Sequence, residues 1–119
     1  MRSRIEAADL VEAAAAFLKE AESELSGRTA FHAKVAANAL AIVVRELREH
    51  PSEAEAAALG ALLPDVAAEA RVAEACARIR AGEWTAETPG LLDALEAGVR
   101  ARLAVDNPRF STLQRLRGA

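Results

Sequence analysis

The sequence predicts an all-α protein, a bundle of about five helices around a central one spanning about residues 28–50, and three observations carry that expectation. Alanine supplies 31 of 119 residues, Tyr is absent and only Phe17, Phe31, Phe110 and Trp84 are aromatic, a composition poor in strand formers and too apolar for a disordered chain. Apolar side chains recur at three- and four-residue steps. The six glycines and four prolines fall mostly between those periodic segments, where they punctuate helices. Because half of the 52% hydrophobic content is methyl groups, the core must be thin and close-packed.

The first helix is expected over about 3–25, where Ser3 and Glu6 have capping-box spacing. Leu10, Ala14, Phe17, Leu18, Ala21 and Leu25 form its apolar stripe, opposite Glu6, Asp9, Glu12, Lys19, Glu20 and Glu22. The second begins after Gly27 and ends at His50, since Pro51 cannot continue it. Phe31, Val35 and Ile42 share one sector and Ala36, Ala39, Leu40, Val43 and Leu47 the next, with Lys34, Arg45 and Arg48 as a narrow polar strip. Helices apolar over most of their circumference are usually central.

Ser52 and Glu55 suggest a second capping box for a short helix reaching Leu63, with Leu59, Leu62 and Leu63 apolar. After Pro64-Asp65, a helix over about 66–81 carries an alanine face of Ala70, Ala73 and Ala77, flanked by Val72, Cys76 and Ile79, and stops at Gly82. Trp84 lies in the following loop as a lid. Thr88-Pro89 reads as an N-cap with proline at the first helical position. The helix it opens has a stripe of Leu91, Leu92, Leu95, Val99 and Leu103 and ends at the Asp106-Asn107-Pro108 turn. Residues 109–119 form a short terminal helix or arm. No linker or internal repeat divides the chain, so a single domain, 1–119, is expected.

Charge and cysteine usage narrow the function classes. Residues 1–99 carry 10 basic and 17 acidic side chains while residues 100–119 carry 5 and 1, which excludes a uniformly basic nucleic-acid face. The single Cys76 has no disulfide partner and no metal-ligand spacing around it, consistent with a reducing cytoplasm. No apolar run approaches a membrane span. Gly-rich phosphate loops, His-Glu-x-x-His, paired-cysteine zinc patterns and nucleophile elbows are all missing. The expectation is a cytoplasmic protein, more an interaction module than an enzyme, without cofactor, metal, membrane or nucleic acid.

Several polar residues break the apolar pattern. Asn38 projects beside Phe31, Val35 and Ile42, where a buried amide needs partners. Arg102 enters the stripe of the 89–105 helix, its stem covering the core edge or its guanidinium pairing with Asp106 one turn on. His32 has Arg28 one turn before it and is expected to be packed. Cys76 is expected in the core. Together Arg28, His32, Asn38 and Arg102, with Asp106, Asn107 and Arg109, are the candidate polar network, structural in one reading and a pocket for a phosphate- or carboxylate-bearing ligand in the other. Little bulky apolar area per residue favours homo-oligomers, through the 66–81 alanine face or the first helix.

Two stretches carry a resemblance: residues 27–47, from Gly27-Arg28-Thr29-Ala30-Phe31-His32 through Asn38 to Arg45-Glu46-Leu47, and Leu103-Ala104-Val105-Asp106-Asn107-Pro108-Arg109-Phe110-Ser111. With Ala77 to Gly82 between them, they resemble a bacterial family of small helical proteins, a domain of unknown function. Its members are similar to the C-terminal part of, or are encoded beside, aminoglycoside-phosphotransferase-like kinases and acyl-CoA dehydrogenases. The resemblance implies an accessory role beside such an enzyme and leads one to expect tyrosine where this chain has Phe110. Asn38 hydrogen-bonding the Asp106–Arg109 turn would join the two stretches.

Overall fold

The computed structural model describes residues 5–118, and they form the all-α fold the sequence predicts, with six α-helices, a single 3-10 turn and no strand among them. The helices are α1 (Ala7–Glu22), α2 (Gly27–Glu49), α3 (Pro51–Ala58), α4 (Arg71–Arg80), α5 (Leu91–Asp106) and α6 (Ser111–Gly118), the 3-10 turn Ala68–Ala70 preceding α4. By their contacts these fall into two compact units, one up to Glu49 and one from His50 on. None of the helices is long and apolar enough to cross a membrane.

The first unit is an antiparallel pair of helices. α1 starts later than expected, at Ala7, with Glu6 as N-cap and its backbone N–H donating to Asp9 Oδ2 at 3.4 Å; the Ser3 cap lies outside the described residues. Gly27 adopts φ +59°, a conformation glycine reaches at little cost, where the chain turns into α2. The helices meet through small residues: Ala8, Ala33, Ala37 and Val44 are buried, and Val11, Ala15 and Leu18 half-buried. Arg48 closes the open end of the pair, its Nη1 donating to Glu12 Oε2 at 2.8 Å and its Nη2 to Glu12 Oε1 and Asp9 Oδ1 at 3.2 Å.

This packing corrects the expected stripes. Leu10, Ala14 and Phe17 are exposed on α1, and Phe31, Val35 and Ile42 are exposed on α2. Alanine allows helix axes to approach more closely than bulky side chains do, so the alanine lines form the contact and the larger residues lie at its flanks. Asn38 and His32 are exposed for the same reason, each lying well around the helix from the Ala33–Ala37–Val44 line. The buried amide and the packed histidine are thus both replaced by surface residues. His32 meets only its neighbour Phe31 among aromatic rings, edge to face at 6.0 Å.

His50 separates α2 from α3. It adopts φ 49°, ψ 58°, the sole positive φ outside glycine among the described residues, and Pro51 follows at the first position of α3. The expected Ser52 cap is displaced by this one-residue turn. Ser52 now lies inside the helix, and Glu55 is used elsewhere.

The second unit contains the larger core. Leu59, Leu63, Ala75 and Ala94 cluster, with Leu62, Val66 and Trp84 packed against them; Leu91, Val105 and Leu113 are also buried. α3 ends at Ala58, short of the expected Leu63. Arg71 explains the early stop, its Nη1 donating to the Ala56 carbonyl and its Nε to the Val66 carbonyl, both at 3.1 Å. At Gly60 a Cβ would lie 3.1 Å from the Ala57 carbonyl and 3.2 Å from Arg71 Nη1, so a side chain there would crowd the arginine. α4 buries Ala75 and exposes Ala73 and Ala77, and Ala70 in the 3-10 turn before it is exposed too, reversing the expected alanine face. It ends at Arg80, and Gly82 follows at φ +77°, the stop signal the sequence predicts. Arg78 stacks over Trp84 at 5.4 Å and pairs with Glu74 at 2.9 Å.

α5 begins at Leu91 with Gly90 as N-cap, not Thr88. Thr88 instead closes the preceding turn, its Oγ1 accepting from the Thr85 N–H at 2.9 Å. Leu91, Ala94, Gly98 and Val105 are buried while Leu92, Leu95 and Val99 are exposed. A Cβ at Gly98 would stand 3.3 Å from Glu55 Cγ, which marks the close approach of α3 to α5. The Asn107 N–H donates to the Leu103 carbonyl at 2.8 Å, and the Phe110 N–H to the Asn107 carbonyl at 3.0 Å, building the Asp106–Arg109 turn into α6.

Candidate functional site

The close α3–α5 contact leaves room beside α4. An open groove of about 350 Å³ forms there, one wall being Val72, Ala75, Cys76 and Ile79 of α4 and the other Ala94, Leu95, Gly98 and Val99 of α5, with Leu59 at its floor. Leu95, Val99, Val72 and Ile79 are all exposed because the contact lines of α4 and α5 run through Ala75 and Ala94. The concavity and its aliphatic lining thus share one cause. Cys76, expected in the core, is exposed here. It sits one residue beyond the buried Ala75, turned onto the groove wall.

The polar edge of the groove is an ion pair. Arg102 Nη2 donates to Glu55 Oε1 at 2.6 Å and to Ser52 Oγ at 3.2 Å, and both Glu55 and Arg102 line the groove. The Arg102 and Glu55 side chains are only 37% and 29% exposed, so this charge-assisted bond is partly shielded from solvent. Arg102 lines the groove beside Leu95 and Val99. Arg102 thus reaches across from α5 to α3, a contact 47 residues apart in sequence.

The first unit carries a second, polar groove of about 450 Å³ between α1 and α2, lined by Glu12, Lys19 and Glu22 on one side and Lys34 and Asn38 on the other, over Ala15, Ala37 and Ala41. Arg48 holds the carboxyl of Glu12 below the ordinary carboxylate range, chiefly through the hydrogen bond and then through its charge. The same pair raises Arg48 above its ordinary value.

The candidate network therefore divides. Arg28, His32 and Asn38 are on α2 of the first unit, and of these only Asn38 lines the polar groove. Arg102 is in the second unit and lines the aliphatic groove; Asp106, Asn107 and Arg109 form the turn after α5 and do not line it. Glu55 and Arg71 were missed by sequence reasoning. For Arg71 a signal existed: a cation opening a helix opposes the macrodipole, and its carbonyl contacts explain why it is there. For Glu55 none existed, because its partner is on another helix.

A family described as "Domain of unknown function (DUF6285)" matches residues 23–110. The chain belongs to this family. The match spans α2 through α5 and the turn beyond, including the whole aliphatic groove, and leaves α1 and α6 outside. No curated protein and no solved structure shows significant similarity to the chain.

Proposed function

We propose that this DUF6285 protein is a non-catalytic accessory module that docks an apolar helix of a separately encoded enzyme in the α3–α4–α5 groove. The carrying observation is the exposure of Val72, Ile79, Leu95 and Val99 along one concave surface. Amphipathic helices insert aliphatic residues at such grooves, using spacings of three and four. The Glu55–Arg102 pair at the edge supplies a polar rim able to orient a partner. The enzyme class follows from the resemblance in the 27–47 and 103–111 stretches: a phosphotransferase-like kinase or an acyl-CoA dehydrogenase.

The test is titration calorimetry of the purified protein against a phosphotransferase-like kinase and an acyl-CoA dehydrogenase from the same organism. Submicromolar binding to one of them is expected, lost at least tenfold in Leu95→Glu/Val99→Glu while circular dichroism is unchanged. Failure of the wild-type protein to bind either enzyme would overturn the reading.

Arg102 at the groove edge supports a second reading, an aliphatic carboxylate bound with its chain along Leu95 and Val99. Its signature would be a rise in melting temperature with a medium-chain fatty acid that Arg102→Lys diminishes. No shift with any chain length would dismiss it.

A further inference from the structure

We infer that two copies of this chain pair through α2, antiparallel about a two-fold axis passing between the levels of Asn38 and Ala39. This rests on the first unit alone and is independent of the groove reading.

The observation is a row on α2 whose chemistry and spacing are self-complementary. Arg28, Phe31, Val35, Ile42, Glu46 and Glu49 fall within one narrow sector at 100° per residue, on the side of the helix away from the buried Ala33, Ala37 and Val44. Their intervals are three, four, seven, four and three residues. Read from either end, the row is the same, which is the property an isologous interface requires. With the axis at its middle, Val35 of one copy is level with Ile42 of the other and Phe31 with the aliphatic stem of Glu46. Arg28 is level with Glu49, so opposite charges meet at both ends.

Exposure and charge agree with this pairing. Phe31 is 64% exposed, Val35 50% and Ile42 38%, three exposed apolar residues in one sector of the helix, the kind of surface that marks association. Neither Arg28 nor Glu49 has an ion-pair partner among the described residues. α2 is 23 residues long, about 34 Å, enough for six turns of contact. Two copies would convert two helical hairpins into a four-helix assembly, the smallest arrangement in which such helices enclose a shared core.

The charge pair makes the register testable. Within one chain Arg28 and Glu49 stand at opposite ends of α2, about 32 Å apart at 1.5 Å per residue, and cannot interact. Reversing one of them can therefore be repaired by reversing the other only across an antiparallel interface. Sedimentation equilibrium of the full chain at micromolar concentration is expected to show a dimer. Arg28→Glu and Glu49→Arg should each weaken it about tenfold, since each change sets like charges opposite at two equivalent positions, and the double variant should return to the wild-type dissociation constant. Val35→Asp should give a monomer with unchanged helix content by circular dichroism. A wild-type monomer at 100-micromolar concentration, a dimer that survives Val35→Asp, or a double variant as weak as the singles would each overturn the inference.

Discussion

The two units are both built from alanine-rich helices, yet they are held together differently. In the first, the buried residues are Ala8, Ala33, Ala37 and Val44, and the pair is reinforced at its open end by the exposed Arg48 cluster with Asp9 and Glu12. In the second, Leu59, Leu63, Leu91, Val105 and Leu113 are buried, and Arg71 ties the end of α3 to the loop before α4. Buried methylenes contribute about 0.8 kcal/mol each, so the second unit draws on much more apolar burial than the first. The contrast teaches that close helix contact and hydrophobic stabilisation are separable: alanines set the first, and only where leucines are enclosed beside them does the second follow.

Leucine truncation should separate the units most sharply. Leu63, only 2% exposed, is expected to cost about 2–5 kcal/mol as Leu63→Ala, the range for buried aliphatic truncations. Phe17→Ser, at a residue 68% exposed, should change stability by less than about 0.5 kcal/mol. Urea unfolding at fixed chain concentration measures both. Similar losses would erase the distinction between the units.

Arg71→Ala should rank next, at about 1–3 kcal/mol, the cost of leaving part-buried carbonyls unsatisfied. The Ala56 and Val66 carbonyls would lose their donor, and amide exchange should rise in α3 and around Gly60 while α1 is unaffected. A uniform rise would instead mean that the arginine supports the whole chain.

Much of the fold was readable from sequence, and its errors share one origin. Helix type and order follow from periodicity, and Gly82, Pro51 and the Asp106–Arg109 turn end or start segments where expected. Burial was misassigned in a consistent direction, with Leu10, Phe17, Phe31, Val35, Leu92, Leu95 and Val99 expected inside and found exposed. A helical wheel ranks sectors by bulk, whereas the contact line between two close helices is chosen by small size. Of the candidate site, Arg102 was legible because it interrupts an apolar stripe. Cys76 was not, since nothing local distinguishes a residue on a groove wall from one behind it. Ser52 and Glu55 matched a capping box by spacing alone, and the left-handed His50 overrode it by starting the helix two residues earlier.

That left-handed residue yields the third expected effect. A non-glycine side chain at φ 49° carries a steric cost of about 1 kcal/mol, so His50→Gly should be neutral to stabilising by up to that amount. His50→Val, with a branched Cβ, should destabilise by at least as much. If both variants lowered the melting temperature equally, the histidine ring rather than the backbone would be what matters at this junction.

The smallest effect concerns pH and tests whether charge substitutes for burial in the first unit. Glu12 is held below the ordinary carboxylate range in the folded chain, chiefly by its hydrogen bond with Arg48. A folded-state value below the unfolded one means that folding favours the ionised carboxyl, so the contribution is complete above the ordinary carboxylate value and is lost as pH falls through the folded one. Because the pair is solvent-exposed and screened, the loss should be confined to α1 and the adjoining end of α2. Amide exchange in α1 is expected to accelerate on acidification from neutral pH to about pH 3, relative to the second unit, and added salt should reduce the difference. Arg48→Ala should remove this acid sensitivity and leave α1 at its low-pH behaviour throughout. If α1 in the variant still loosened with acid as the wild type does, the Glu12–Arg48 bond would not be what holds the hairpin where its alanines bury so little.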